Sequence, residues 1–275
     1  MFSFKGCKYL RINCFWENTL RYHLEDINKI LDSFAPGYKK EDGMTSEKIC
    51  FIINSLAKFI DQDECYFEVG CFKGATLLAA AITGVKTYAC DNFSMECPKG
   101  FQRGAKTIAK LEEEMVKLTA PRRNLTVEES MRIRTIQNQI AQIEALDNKD
   151  KNYPKSRLIQ NIKPYKNVTF YDMDFRKVKL TFLPRIKLYL YDGAHDAQSQ
   201  FEGIMFVMPQ LSDNCCILVD DWNWEDTRKG TLQALEVAQK TYRCQLIEKR
   251  SPRLNDPYPQ GFWNGLAVVL LDKEK

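Results

Sequence analysis

Apolar residues in this chain fall into two alternating rhythms. Short β-rich runs recur at 65 to 70 (CYFEVG), 86 to 91 (KTYACD), 167 to 174 (NVTFYDMD), 186 to 193 (IKLYLYDG), 215 to 222 (CCILVDDW), 244 to 250 (CQLIEKR) and 262 to 271 (FWNGLAVVLL). Between them lie stretches of helical period. Ser46 to Ile60 places apolar residues at Ile49, Ile52, Ile53, Leu56 and Phe59 to Ile60, with Thr45 or Ser46 as the cap. Gly74 to Ile82, Ala197 to Met208 and Thr227 to Tyr242 read as helices as well. Strands alternating with helices predict an α/β fold: a Rossmann-like, seven-stranded, mostly parallel sheet with helices on both faces.

The interval 98 to 165 breaks the rhythm. Its apolar positions keep helical spacing, first Ile108, Leu111, Met115 and Leu118, then Met131, Ile133, Ile136, Ile140, Ile143 and Leu146, with Pro121 between the two sets. The expectation is a helical hairpin inserted between the second and third strands. The expected organisation is therefore an N-terminal helical cap over 1 to 45, then one domain over 46 to 275 carrying the insertion. The seam Ile133, Ile136, Ile140, Ile143 has the spacing of a short coiled-coil contact, so a homodimer through the hairpin is expected.

Composition changes this picture only locally. The 275 residues carry a net charge of +4 and are 44% hydrophobic, which suits a full globular core and excludes collagen-like or wholly disordered chains. The hairpin alone holds 14 Lys and Arg against 8 Asp and Glu, so the basic charge is concentrated there. A small overall excess does not mark a nucleic-acid-coating protein, and no nucleic-acid partner is expected. Charges interrupt every apolar run of the first twenty residues, and no apolar stretch approaches membrane-spanning length; no membrane association is expected. Ten cysteines, none in a Cys-x-x-Cys pair and several inside apolar runs, fit free thiols in a reducing cytoplasmic location.

In an open α/β sheet ligands sit beyond the carboxyl ends of the strands. Three such ends carry candidate chemistry. In Glu68-Val69-Gly70-Cys71-Phe72-Lys73-Gly74-Ala75-Thr76 an acidic residue and two glycines lie at a strand–helix junction, where free N–H groups suit an anionic group. Asp91, followed by Asn92, closes the next strand 21 residues after Gly70, where a carboxylate accepts from two ribose hydroxyls. The loop reads Glu-x-Gly-x-x-x-Gly and not Gly-x-Gly-x-x-Gly, which disfavours a dinucleotide pyrophosphate. Finally, Asp192-Gly193-Ala194-His195 follows the fourth strand and Asp220-Asp221-Trp222 the fifth. Three carboxylates at one edge repel unless a cation neutralises them, and an oxygen-only set suits Mg²⁺, Ca²⁺ or Mn²⁺.

These residues resemble the class I S-adenosylmethionine-dependent methyltransferase family, and within it the metal-dependent O-methyltransferases with Asp-Gly-x-His and Asp-Asp motifs, the macrocin-type sugar O-methyltransferases of methyltransferase family 24. The resemblance covers about residues 44 to 271 without the insertion. It implies that Glu68, Gly70, Cys71, Gly74 and Thr76 border the methionine part of S-adenosylmethionine, that Asp91 and Asn92 meet the ribose, that Met173 and Asp174 meet the adenine, and that Asp192 lies against the cofactor. It implies a divalent cation, Mg²⁺ above others, on Asp192, Asp220 and Asp221. Catalysis falls to His195 with Asp192; relatives carry a lysine as base where His195 stands, so this chain departs from them there. The implied reaction methylates a hydroxyl of a small molecule, such as a sugar or vicinal diol. Trp222, Trp224 and Trp263 are candidates for lining the acceptor pocket.

Two other readings stay open at this level. A metal-independent methyltransferase could dock RNA or protein on the basic hairpin, although amino-methylating relatives place Asn/Asp-Pro-Pro-Tyr/Phe after the fourth strand, where this chain has Asp192 to His195. A cofactor-binding scaffold without catalysis is the other.

Overall fold

The computed structural model describes residues 20–33, 40, 43–94, scattered positions between 110 and 139, 153–256 and 258–273. Seven strands form one sheet in the order β3-β2-β1-β4-β5-β7-β6. They are β1 Glu64–Val69, β2 Thr87–Asp91, β3 Val168–Asp172, β4 Arg185–Tyr191, β5 Leu211–Asp220, β6 Tyr242–Lys249 and β7 Leu266–Lys273. β7 runs antiparallel between β5 and β6, while the pairs β3–β2, β2–β1, β1–β4 and β4–β5 are parallel. The expected α/β class and mostly parallel sheet are thus what the chain forms.

Parallel neighbours need helical crossovers, which cover both faces and bury the strands on two sides. Against one face pack α1 Leu24–Asp32, α2 Glu47–Ala57, α3 Ala75–Ala81 and α4 Tyr153–Ile162; Tyr66, Leu188, Leu190, Leu218 and Val268 point toward them. Against the other pack α5 Ala197–Val207 and α6 Glu225–Ala238, over Phe67, Val69, Ile217, Val219 and Val269. In α2 the residues Ile49, Ile52, Ile53 and Leu56 are all fully buried, each contributing about 1.5–3 kcal/mol. Ser46 caps this helix, its Oγ accepting from Ile49 N at 3.1 Å, a cap contributing about 1 kcal/mol.

Element ends differ from the sequence expectation for local reasons. β5 begins at Leu211 and stops at Asp220 because Asp221 turns the backbone to φ +55°. β7 begins at Leu266, not 262, because Trp263 (φ +54°) and Gly265 (φ +96°) form a turn closed by Gly265 N–H donating to Phe262 O. The last long helix ends at Ala238, and Tyr242 already belongs to β6.

Much of 98 to 165 lies outside the described residues, including the seam positions Ile140 and Ile143. Of those described between 110 and 139, all but Thr126 are helical. Arg132 joins the two stretches by a two-pronged pair with Glu114, at 2.8 and 3.1 Å. The end of the interval, α4, is the crossover between β2 and β3. Its Leu158 is fully buried, and Asn161 Nδ2 donates to Lys73 O at 3.0 Å.

Of the N-terminal segment, 1 to 19, 34 to 39 and 41 to 42 lie outside the described residues. Tyr22 ties the entry to α1 to the body: its N–H donates to Asn214 Oδ1 (2.7 Å) and its hydroxyl to Leu56 O (2.9 Å). His23 precedes α1 and makes no side-chain cap. Seven described cysteines are free thiols. No helix among the described residues is long and apolar enough to cross a membrane.

Candidate active site

The strand order reverses direction between β1 and β4, and in open α/β sheets the ligand crevice lies beyond the carboxyl ends of the strands at such a switch point. Two backbone segments meet there. Gly70 (φ +82°) leaves β1, and a Cβ on it would lie 1.9 Å from Asp192 O, so only glycine fits. Asp192 N–H donates to Val69 O at 2.8 Å, locking the β4 end to the glycine loop. Gly74 (φ +90°) starts α3, and a Cβ there would meet Leu158 Cδ1 at 2.7 Å. Gly70 is demanded by the close approach of the Asp192 backbone, and Gly74 by its left-handed conformation.

Glu68 is fully buried. It accepts from Tyr66 Oη at 2.6 Å and from Thr76 Oγ1 at 2.6 Å, joining β1 to α3. Burial pushes its carboxyl up to about 7, against the two hydroxyl bonds that pull it down. Asp91 gathers the loop: its Oδ2 accepts from Cys71 N (2.9 Å) and Phe72 N (3.0 Å), its Oδ1 from Phe93 N (2.7 Å). Desolvation raises Asp91, and these backbone bonds oppose it. The Cys71 side chain is buried, while Asn92 is exposed and accepts from Ser94 N at 3.0 Å.

At the end of β3, Met173 is 36% exposed. Asp174 caps a short 3₁₀ turn, accepting from Arg176 N at 2.9 Å, and its carboxylate also receives the Arg176 guanidinium. Arg176 in turn reaches Glu202 Oε2 at 2.6 Å. The Asp174 carboxylate is thus engaged as a turn cap and ion-pair partner.

Tyr191 ends β4 with its ring against Gly203 of α5 and its hydroxyl donating to Ser199 O at 3.0 Å. This sets the turn Asp192 to His195, after which Asp196 caps α5 by accepting from Ser199 N at 2.9 Å. His195 Nε2 lies 2.7 Å from Asp221 Oδ2. The Trp224 ring stands edge-on to the imidazole with centroids 4.9 Å apart. Asp221 Oδ1 accepts from Asn264 Nδ2 at 2.6 Å.

The expected metal trio is regrouped. Among the described residues, the ligand atoms that come within 4.8 Å of one another belong to Asp192, His195 and Asp221. Asp220 is left out because adjacent residues at a strand end point to different sides, and Asp221 takes the left-handed turn. The Asp220 side chain is 5% exposed, and its Oδ1 has no hydrogen-bond partner among the described residues. Burial, then the neighbouring carboxylates, raise both Asp192 and Asp220 well above the usual range. Trp222, expected to line a pocket, is wholly buried in the core. Trp224 is 40% exposed beside His195, and Trp263 is partly buried against the opposite core.

Sequence reasoning missed Asn264. The signal was present in β5–β7 pairing: antiparallel register sets Asp220 opposite Leu266, which brings 264 and 265 beside the Asp221 turn. Asn223 N–H donates to Asn264 O at 2.8 Å.

No protein-family model matches the chain, and no curated protein does. Among solved structures it is similar to the N-methyltransferase NodS from Bradyrhizobium japonicum WM9 in complex with S-adenosyl-L-homocysteine, at 10% identity and TM-score 0.44, covering 94% of this chain and 100% of that one. A putative rRNA methylase from Clostridium thermocellum aligns at 11% identity and TM-score 0.45, over 81% of this chain and 95% of that one. Precorrin-6y C5,15-methyltransferase from Geobacter metallireducens GS-15 aligns at 13% identity and TM-score 0.42, over 88% and 94%.

Proposed function

We propose that the protein is an S-adenosylmethionine-dependent O-methyltransferase acting on a hydroxyl of a small molecule, with His195 as the base. The observation that carries this reading is the His195–Asp221 pair beyond the carboxyl ends of β4 and β5, on the same end of the sheet as the glycine loop after β1 and Asp91 at the end of β2. S-adenosylmethionine, when bound, supplies an electrophilic methyl group on a sulfonium. The chain's own residues do the rest. Asp221 holds Nε2–H of the neutral imidazole, which leaves the lone pair on Nδ1 to take the proton of an acceptor hydroxyl. The carboxylate then stabilises the imidazolium that forms. Cys71, Phe72 and Gly74 shape the loop bordering the methionine part, and Asp91 anchors that loop beside the ribose position.

A second reading adds a divalent cation and rests on a separate observation. Asp192, His195 and Asp221 present two oxygens and one nitrogen within one cation's reach, beside the orphaned buried oxygen of Asp220. These residues fit a divalent ion: positive charge would relieve the mutual repulsion of the carboxylates. A bound cation would acidify an acceptor hydroxyl. The imidazole in the set moves the preference from Mg²⁺ toward Mn²⁺ or Fe²⁺, and His195 then serves as ligand and not as base.

The test is transfer of labelled methyl from S-adenosylmethionine to a panel of sugars and vicinal diols, with and without chelator. Turnover that survives chelation and fails in His195→Ala supports the base. Turnover abolished by chelator and restored by Mn²⁺ supports the cation. Absence of transfer to any hydroxylated acceptor, with transfer to an amine, RNA or protein instead, overturns the acceptor class.

A further inference from the structure

The connection between β6 and β7, residues 250 to 265, is long for an antiparallel neighbour pair and is extensively cross-bonded. Asp256 is 4% exposed and gathers Arg253 Nε (3.0 Å) and Tyr258 N (3.2 Å) on one oxygen. Asn223 spans to the same loop, its Nδ2 donating to Ser251 O at 2.8 Å and its Oδ1 accepting from Ser251 N at 3.1 Å. Ser46 Oγ donates to Gly261 O at 2.6 Å, and Lys48 N–H to Pro259 O at 2.9 Å, fastening the loop to the start of α2. Such bonding is more than connecting two strands requires.

At the inner end of this loop sits Asn264, 6% exposed. Its two amide ends are told apart by their partners. Asn255 N–H donates to Asn264 Oδ1 at 2.5 Å, with Asn255 held at φ +51° to reach it. Oδ1 being the acceptor, Nδ2 must be the end that faces Asp221, and it donates to Asp221 Oδ1 at 2.6 Å. Asp221 is itself in the left-handed region, a conformation that costs about 1 kcal/mol or more and persists only where surroundings impose it. With Oδ1 claimed by Asn264, the other oxygen is the one presented to His195 Nε2.

We infer that Asn264 is a positioning residue: held by Asn255, it fixes the Asp221 carboxylate and through it the orientation of the His195 ring against Trp224. This rests on the proposed role of His195 for its catalytic meaning, but the orientation itself needs neither cofactor nor turnover to be measured.

The experiment uses the full chain labelled at histidine Cε1 and studied by NMR at one fixed pH in chelator. The chain has only two histidines, so His23→Gln assigns both signals. Trp224→Leu identifies the ring-current displacement of the His195 signal. The expected result is that Asn264→Ala and Asn264→Asp, the latter nearly isosteric but unable to donate when ionised, both move the His195 signal toward its Trp224→Leu position and leave His23 in place. With a working acceptor, kcat is expected to fall about 10- to 100-fold while acceptor KM and S-adenosylhomocysteine affinity stay within about threefold. An unmoved His195 signal in a folded variant overturns the inference, because a merely structural asparagine would lower the melting temperature without turning the ring. In the wild-type chain, slow exchange of an Asn264 Nδ2 proton supports the inference, and exchange at the rate of a free amide overturns it whether or not the variants fold. Failure of the wild type to bind S-adenosylhomocysteine would sink the methyltransferase reading and leave the NMR result standing.

Discussion

Asp221 Oδ2 and His195 Nε2 are 2.7 Å apart, and Asp221 reaches that place from a left-handed backbone conformation. The contact fixes one edge of the imidazole, and the two residues come from different strand ends brought together by β4–β5 pairing.

His195→Ala is therefore expected to lower methyl transfer by about 10²- to 10⁴-fold, the usual range for a positioned base. Asp221→Asn should lower it too, because the amide cannot stabilise the imidazolium. S-adenosylhomocysteine affinity should stay within about twofold in both. Equal turnover in His195→Ala would show that the imidazole is not the base.

Asp192 and Asp220 separate the cation reading from the sequence expectation. If the cation is held by the group the structure assembles, Asp192→Ala abolishes Mn²⁺ binding measured by calorimetry, while Asp220→Asn retains it within about tenfold. Loss of binding in Asp220→Asn with retention in His195→Ala would restore the oxygen-only set.

Gly70→Ala tests the packing of the glycine loop. The added methyl would lie 1.9 Å from Asp192 O at φ +82°, so the variant should lose at least about 2–4 kcal/mol in urea unfolding. An unchanged midpoint would mean that the two strand ends are not in contact.

The fold and most of these residues were legible because they follow period and position. Alternating runs announced the strands, and residues at strand ends such as Asp91, Asp192 and Asp221 fall at the crevice once the order is known. What was not legible depended on side-chain direction. Asp220 and Asp221 are equivalent in sequence, and only the left-handed turn at Asp221 decides which one reaches His195. Trp222 and Trp224 are separated in the same way, one into the core and one beside the imidazole. Asn264 lies 43 positions from Asp221 and was hidden by the apolar run at 262, which placed it inside a strand and not in the turn before one.

Glu68 gives the pH dependence. Its carboxyl is pushed up to about 7 by burial, from an unfolded value of roughly 4.3, so its contribution to stability is complete below that unfolded value and is lost as pH rises through 7. The loss is on the order of 4 kcal/mol. Asp192 and Asp220, also raised, slope the same way, so the informative quantity is the difference between wild type and Glu68→Gln. That difference should favour the variant more at pH 8 than at pH 4.5. A difference independent of pH would show that Glu68 ionises normally.

Whether the crevice between β1 and β4 takes S-adenosylmethionine is tested most directly by calorimetric titration of the full chain with S-adenosylhomocysteine. Micromolar binding at one site per chain is expected, weakened at least about tenfold in Asp91→Ala, which loses the carboxylate that gathers the glycine loop. No binding heat from well-folded protein, at any pH between about 5 and 8, would contradict it.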